Sequence, residues 1–114
     1  MASLPTKLLL DAAKRLADQR GQPFTIVHRG DPDSGQIMLC LYDIGLRTTL
    51  ALKRERNWDD DGFSWVAAKQ GKQLDAVELS DFIERSTNID PDLWVVEVDV
   101  AAGSGIELNP FQTD

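Results

Sequence analysis

Two acid-proline-acid units have the residue types and spacing that could do chemistry. The first lies in the stretch HRGDPDSG, where Pro32 separates Asp31 from Asp33, and the second is Asp90-Pro91-Asp92. Paired carboxylates that converge in a pocket can act as general acid and base when their pKa values separate. The same spacing suits turns, because proline fixes φ and aspartate accepts hydrogen bonds from nearby backbone N–H groups. We favour the turn interpretation for both units.

A binding site around the two units is the functional alternative to plain turns. It requires the loop that holds the first unit and the start of the last strand to lie at the same end of the sheet. Trp58 stands in an acidic loop and is the tryptophan that we expect to be most exposed. The candidate binding residues are Arg29, Asp31, Asp33, Trp58, Asp92 and Trp94. No catalytic residue can be assigned from the sequence.

Nucleophilic and metal chemistry have little support in the residue types. The single His28 has no serine or cysteine motif such as G-x-S-x-G beside it. One histidine and one cysteine cannot supply the three or four nitrogen and sulfur ligands of a zinc site. Residues 59–61 are three adjacent aspartates, without the alternating spacing of a calcium-binding loop. We therefore predict no metal and no cofactor.

The charge balance argues against nucleic acid and anionic membranes as partners. The 114 residues carry a formal net charge of −7 and a pI near 4.6, so the molecule as a whole repels polyanions. One strand remains a candidate for local nucleic-acid binding if its basic side chains share one exposed face. Its basic residues are Arg47, Lys53, Arg54 and Arg56.

Local signals predict the elements of the first half of the chain. A helix is expected from Leu4 to Arg20, capped by Ser3 and stopped by Gly21. Two short apolar segments, Phe24–Arg29 and Gln36–Tyr42, read as a β-hairpin whose turn holds the first unit. Gly35 is expected to take a positive φ in that turn.

The second half of the chain gives equally local signals. A half-buried strand from about residue 46 to 53 and another at Phe63–Ala68 continue an antiparallel meander. Asp75 and Glu78 form a capping-box pattern that begins a helix ending near Asn88, and the strand Leu93–Val100 follows. Three apolar residues of the tail could add an edge strand: Ile106, Leu108 and Phe111.

These elements predict an α+β fold in two layers. A mostly antiparallel sheet of about five strands carries two helices on one face, in the order α-β-β-β-β-α-β. The chain is expected to form one domain, 1–114, with flexible ends at 1–3 and 101–114. Ile37–Leu41 is apolar on both strand faces, and helices on one side cannot cover both. An uncovered face would invite a homodimer or another protein partner.

The cellular setting follows from the apolar segments and the single Cys40. No stretch approaches the roughly 18 apolar residues of a membrane span, and the N-terminus becomes charged too early for a signal peptide. Cys40 lies in an apolar run, where a buried, unpaired thiol is expected. We predict a cytoplasmic protein.

Separated motifs give this sequence a family resemblance. Val27–Gly35 reads Val-x-Arg-Gly-Asp-Pro-Asp-Ser-Gly, Phe82–Arg85 reads Phe-Ile-Glu-Arg, and Asp90–Glu97 reads Asp-Pro-Asp-Leu-Trp-Val-Val-Glu. In this order the motifs resemble the bacterial domain of unknown function 1491 family over nearly the whole chain, with departures in the tail, 101–114. The resemblance implies a free-standing bacterial cytoplasmic protein and supplies no activity or catalytic residue.

Three functions therefore stand open. A non-enzymatic interaction or ligand-binding module is favoured. A small enzyme with a carboxylate site around Asp31, Asp33 and Asp92 is the first alternative, and nucleic-acid binding through the Arg47–Arg56 strand is the second.

Overall fold

The computed structural model describes residues 4–60, 62–102 and 109–111. These residues form two helices and a five-stranded sheet, which confirms the α+β class and the predicted element order. A single 3-10 turn, Lys69–Gly71, precedes the second helix. The elements are α1 Thr6–Gln19, β1 Phe24–His28, β2 Ile37–Asp43, β3 Thr48–Arg56, β4 Phe63–Ala67, α2 Ala76–Ile89 and β5 Trp94–Val100.

The strand order corrects the predicted hairpin. The sheet runs β1-β5-β2-β3-β4, so β5 inserts between β1 and β2, which do not pair with each other. All neighbours are antiparallel except β2 and β5, which are parallel. The run Leu93–Val96 is apolar on successive residues, and such a strand is stable only where both faces are covered, at the centre of a sheet. The meander therefore holds only for β2, β3 and β4.

The two helices cover opposite faces of the sheet, so the predicted placement of both on one face is wrong. Leu10 of α1 packs into a cluster with Leu39 and Leu41 of β2. Leu79 of α2 packs into a second cluster with the intervening residues of β2, Met38 and Cys40. Alternate residues of a strand point to opposite faces, so the molecule has three layers rather than two.

The three-layer arrangement removes the reason for predicting a homodimer. Every residue of Ile37–Leu41 is at most 1% exposed within one chain. The uncovered apolar face that would have invited a partner is therefore absent from the described part of the molecule.

Backbone carbonyls from the first Asp-Pro-Asp loop cap the beginning of α1. The backbone N–H groups of Thr6 and Lys7 donate to the carbonyl oxygens of Asp33, at 3.1 Å, and Pro32, at 2.8 Å. They replace a side-chain cap, which Pro5 at the N-cap position cannot provide. The predicted Ser3 cap lies outside the described residues. Gly21 follows the helix with φ +69°, as predicted for its stop.

The capping box of α2 is confirmed. Asp75 Oδ1 accepts from the Glu78 N–H at 2.8 Å, and Glu78 Oε1 accepts from the Asp75 N–H at 3.1 Å. The other carboxylate oxygen of Glu78 accepts from the Lys72 ammonium, outside the helix. These bonds fix the beginning of α2 beside the 3-10 turn.

The stability contribution of Glu78 is expected to depend on pH. The hydrogen bond from Lys72, followed by the bond from the Asp75 backbone, lowers the pKa of Glu78. A pKa lowered by folding contributes stability above the unfolded value, and this contribution is lost as the pH falls through the folded pKa. Glu78→Gln, which keeps a capping side chain without the charge, should be less stable than the parent at pH 7.

Urea unfolding of both proteins from pH 7 to pH 2.5 would measure this difference, which is expected to shrink toward acid. Glu84→Gln on the exposed side of α2 is the control and should leave the parent's pH profile unchanged. A constant difference between Glu78→Gln and the parent at all pH values would contradict the assignment.

The tail packs on the α1 face of the sheet at residues 109–111. Asn109 and Pro110 are fully buried, and the Phe111 ring lies 6.4 Å from Phe24 and 5.0 Å from Trp65, centroid to centroid. Those two partners belong to the opposite edge strands, β1 and β4, so the sheet curves around Phe111. Phe111 thus docks on the sheet face rather than in an edge strand. The predicted docking of Ile106 and Leu108, the predicted flexible end 1–3, and residues 103–108 and 112–114 of the predicted flexible end 101–114 lie outside the described residues.

Neither α1 nor α2 combines the length and the apolar character that crossing a bilayer requires.

Candidate functional site

The two Asp-Pro-Asp units meet at one end of the sheet, as a shared site requires. The Asp31 N–H donates to the Asp92 carbonyl oxygen at 3.0 Å, and Trp94 Nε1–H donates to the Asp31 carbonyl oxygen at 2.7 Å. On the strand side, His28 Nδ1 lies 2.7 Å from the Leu93 carbonyl oxygen. The loop after β1 is therefore docked on the start of β5 by one backbone–backbone hydrogen bond and by two side chains that contact backbone carbonyls. We call this contact the loop dock.

Glycine at two positions makes the loop dock possible. A Cβ atom at Gly30 would lie 2.0 Å from the Asp92 carbonyl oxygen, and one at Gly35 would lie 2.4 Å from the same atom. Among the described glycines, only Gly21 and Gly71 have positive φ, so the predicted positive φ of Gly35 is wrong. Gly35 is needed for close approach of two backbones instead.

The carboxylates of the two units serve their own turns. Asp31 Oδ2 accepts from the N–H and the hydroxyl of Ser34, at 2.9 and 2.8 Å, and these hydrogen bonds lower the pKa of Asp31. Asp90 Oδ1 accepts from the Asp92 N–H at 3.1 Å in the second unit. A general acid near neutral pH needs a raised pKa, so Asp31 is suited to turn formation rather than proton donation. Asp33 and Asp92 are exposed.

The two candidate tryptophans have different environments. Trp94 is 2% exposed in the core, with the exposed Arg29 guanidinium 5.8 Å from its ring centroid. Trp58 is 95% exposed, which confirms it as the most exposed tryptophan of the three. It lies in the turn between β3 and β4, on the far side of β2 from β5, so the structure does not bring it to the other candidates.

Cys40 is expected to be unreactive in the folded protein. The thiol is buried between β3 and β5, and burial, together with the charge of Glu97, raises the pKa of Cys40 to about 12. Thiolate is the reactive species, so reaction with a disulfide reagent at pH 8 should proceed only when the chain unfolds. The measurement is the modification rate with and without denaturant.

In denaturant, one thiol per chain should react rapidly, and this sample serves as the control for reagent quality. A native rate within about tenfold of the denatured rate would show that Cys40 is accessible and would reopen its role as a nucleophile.

Metal-binding side chains do not cluster in the described part of the chain. Residues 4–60, 62–102 and 109–111 contain no group of three or more histidine, cysteine, aspartate or glutamate side chains that could hold a metal ion.

A cleft that the sequence did not reveal lies between α2 and the end of the sheet where β2 begins. Its volume is about 420 Å³, and its apolar wall is made by Ile37, Phe82 and Leu93. Ser86 and Asp90 lie along its α2 side. The remaining charged side chains of the lining are cationic: Lys53, Arg54, Lys69 and Arg85. We call this feature the basic cleft.

The charge of the basic cleft is opposite to that of the whole molecule. Lys53 Nζ and Lys69 Nζ each lie 5.6 Å from the Phe82 ring centroid. Neither lysine forms an ion pair with a described residue, whereas the other three lysines of the chain do: Lys7 with Asp11, Lys14 with Asp18, and Lys72 with Glu78. The basic cleft therefore concentrates uncompensated positive charge on a protein of net charge −7.

The predicted nucleic-acid strand does not present its cations on one face. Lys53 reaches Phe82 on the α2 side, whereas the Arg54 guanidinium lies 4.3 Å from the ring centroid of Phe63 on β4. Arg47 stands in the turn before β3, roughly 20 Å along the strand from Lys53. The four cations therefore do not form the single exposed surface that this alternative requires.

The basic cleft could not be predicted from the sequence because its residues come from three separate segments. Lys53 lies on β3, Lys69 on the 3-10 turn, and Arg85 on α2. A local signal existed only on α2, where Phe82 and Arg85 are three residues apart and therefore share a helix face.

Comparisons with known proteins show the family and the fold. The sequence pattern of the family described as protein of unknown function (DUF1491) matches residues 4–106. A crystal structure and an NMR structure of a DUF1491 family protein from Caulobacter crescentus CB15 are both 24% identical. The crystal structure has a TM-score of 0.81, and the match covers 98% of this chain and 97% of that chain. The NMR structure has a TM-score of 0.77, and the match covers 100% of this chain and 96% of that chain.

A solution structure of a protein from A. tumefaciens has the same fold at 19% identity, with a TM-score of 0.69, over 90% of this chain and 91% of its own. No curated protein matches the chain.

Proposed function

The chain belongs to the DUF1491 family of proteins of unknown function, and from this premise we propose that it is a non-enzymatic module that binds a small ligand in the basic cleft. The observation that carries the proposal is the convergence of unpaired cations on an apolar wall. Small-molecule sites have this composition, and their volumes run from about 300 to 1,000 Å³.

The chemistry of the lining supports binding rather than catalysis. Its carboxylate, on Asp90, accepts the Asp92 N–H, and its hydroxyl belongs to Ser86. The described lining contains neither histidine nor cysteine, so a proton-transfer group near neutral pH is missing from it. The carboxylate alternative at the loop dock is weakened because Asp31 is held by Ser34.

A tryptophan placed in the basic cleft tests the proposal. Ser86→Trp puts a large ring into the cleft, and Ser80→Trp puts the same ring on the exposed side of the same helix. We expect the fluorescent probe 8-anilinonaphthalene-1-sulfonate, an apolar ring system with one anionic group, to bind the parent and the Ser80→Trp control. The Ser86→Trp protein should bind it at least about tenfold more weakly.

Circular dichroism of both variants would establish that they are folded to the same extent. Equal probe binding by Ser86→Trp and Ser80→Trp would overturn the proposed function.

The proposal needs no second copy of the chain and no protein partner, because both faces of β2 are covered within one chain. Light scattering at micromolar concentration is expected to give a monomer. We place the module in the cytoplasm on the basis of its single buried, unpaired thiol.

A further inference from the structure

We infer that the ligand of the basic cleft is a small organic dianion, a phosphomonoester or a dicarboxylate joined to an apolar body. This inference rests on the proposed function and adds the chemical class of the ligand. Its basis is the placement of Lys53 and Lys69 beside the ring of Phe82, with Arg85 in the lining of the same cleft.

The two lysines are exposed and have no ion-pair partner among the described residues. Each ammonium nitrogen is 5.6 Å from the same ring centroid, so the two nitrogens are at most about 11 Å apart, twice that distance. This upper limit is close to the screening length at physiological ionic strength, so salt screens the repulsion between the two charges only in part. A doubly charged anion between them would interact favourably with both, which a single charge could do only in part.

Arg85 adds a directional donor to these two point charges. Its Nε–H donates to the Asp81 carbonyl oxygen at 3.4 Å, one turn earlier on α2. This bond orients the side chain and leaves its terminal nitrogens without a partner among the described residues. A planar guanidinium binds the paired oxygens of a phosphate or carboxylate group, which an ammonium cannot do in the same bidentate way.

The backbone that carries Lys69 is held in an unfavourable conformation. Lys69, Gln70 and Gly71 have successive φ values of +54°, +58° and +78°. A left-handed conformation is unfavourable for a residue with a side chain, such as Lys69 and Gln70. Backbone strain of this kind persists only where the surroundings enforce it, and it is concentrated at ligand sites. Here the strained turn carries Lys69, whose Nζ lies beside the Phe82 ring.

Apolar residues at the mouth of the basic cleft indicate that the ligand has an apolar body. Ile89 ends α2 and lines the cleft, yet its side chain is 85% exposed. Phe82, Ile37 and Leu93 continue the apolar surface inward. A purely inorganic anion would leave this surface in water, whereas a ligand with an apolar body would cover it. A volume of about 420 Å³ fits a molecule of that size rather than a polymer.

Matched probes test the ligand class directly. We would titrate the ¹⁵N-labelled protein with 1-naphthyl phosphate, with the uncharged 1-naphthol and with inorganic phosphate, and follow the amide shifts of Lys53, Phe82 and Arg85. The phosphate ester should bind at least about tenfold more tightly than 1-naphthol or inorganic phosphate. Its affinity should fall as salt is added.

Charge-removing variants assign the effect to the basic cleft. Lys53→Gln and Lys69→Gln should each weaken binding of 1-naphthyl phosphate by about threefold to tenfold. Lys14→Gln, which removes an exposed lysine paired with Asp18 on α1, is the matched control and should change nothing. Phenylsuccinate, a dicarboxylate on an apolar ring, is titrated in the same way to distinguish a dicarboxylate ligand from a phosphomonoester. Tight binding of either dianion supports the inference.

The outcomes separate the two proposals. Equal affinity for 1-naphthol and 1-naphthyl phosphate at the cleft amides would overturn the dianion and leave the ligand-binding module standing. An affinity unaffected by Lys53→Gln and Lys69→Gln would also overturn the dianion. Failure of all the probes to shift the cleft amides would overturn both the ligand class and the proposed function.

Discussion

Gly30→Ala is expected to lower the free energy of unfolding by about 3 kcal/mol or more. The added Cβ would lie 2.0 Å from the Asp92 carbonyl oxygen, 2.7 Å from the Asp92 carbonyl carbon and 2.8 Å from the Leu93 carbonyl carbon. All three are backbone atoms of the turn just before β5, so no side-chain rotation can relieve the overlap. Urea unfolding followed by tryptophan fluorescence would measure the loss.

The loss at Gly30 should exceed the effect of the clash alone, because the loop dock would have to open. Moving the loop away from β5 breaks the bond from the Asp31 N–H to Asp92 and the bond from Trp94 to the Asp31 carbonyl oxygen. It also displaces the carbonyl groups that cap α1. Local strain at one glycine would thereby affect both α1 and the interior strand β5.

Gly21→Ala is the matched control for the Gly30 substitution. Gly21 has φ +69° and no atom within 4 Å of its added Cβ, so alanine there should cost only the roughly 1–2 kcal/mol of a left-handed residue. Equal losses at the two positions would mean that the loop dock yields easily, and that the close approach at Gly30 contributes little to stability.

The sequence was most informative where structure depends on neighbours along the chain. Asp75 and Glu78 predicted the capping box, Gly21 predicted the end of α1, and the acid-proline-acid spacing predicted two turns. Each signal involves hydrogen bonds or backbone angles within about four residues, so one sequence contains all of the relevant groups. The element order could be predicted for the same reason.

Strand order and the faces of the helices could not be read in this way. Phe24–His28 is as compatible with β2 as with β5, and the choice depends on which strand most needs two covered faces. The apolar run at Leu93–Val96 contained that information, although Glu97 and Asp99 alternate with valines in the second half of the same strand. Once β5 lies inside the sheet between β1 and β2, a helix on each face follows from the burial of β2.

The basic cleft illustrates the same limit for function. Lys53, Lys69 and Arg85 each resemble a solvated surface residue when only the neighbouring residues are considered. Their common position around Phe82 is set by the packing of α2 on the sheet and by the left-handed turn at Lys69. The Asp-Pro-Asp units attracted attention because their charges are adjacent in sequence, yet the structure uses Asp31 and Asp90 to build turns.

Trp94→Ala is expected to lower the free energy of unfolding by about 4 kcal/mol. The side chain is 2% exposed and packs among Ile37, Val96 and the other residues of the α1-side cluster. Its removal leaves a large cavity in the core and also leaves the Asp31 carbonyl oxygen without its indole donor. Circular dichroism in urea would measure the change, since the fluorescence signal itself is altered by the substitution.

Trp58→Ala and Trp94→Phe divide this loss into its causes. Trp58 is 95% exposed, so its replacement should change the stability by less than about 0.5 kcal/mol. Trp94→Phe keeps a ring in the core but removes the N–H, and should cost about 1–3 kcal/mol. If Trp94→Phe leaves the free energy of unfolding nearly unchanged while Gly30→Ala lowers it strongly, close backbone contact alone holds the loop on β5. If both substitutions strongly lower the free energy of unfolding, the indole hydrogen bond to Asp31 is a necessary part of the loop dock. The first Asp-Pro-Asp unit is then held in place by a side chain of the core.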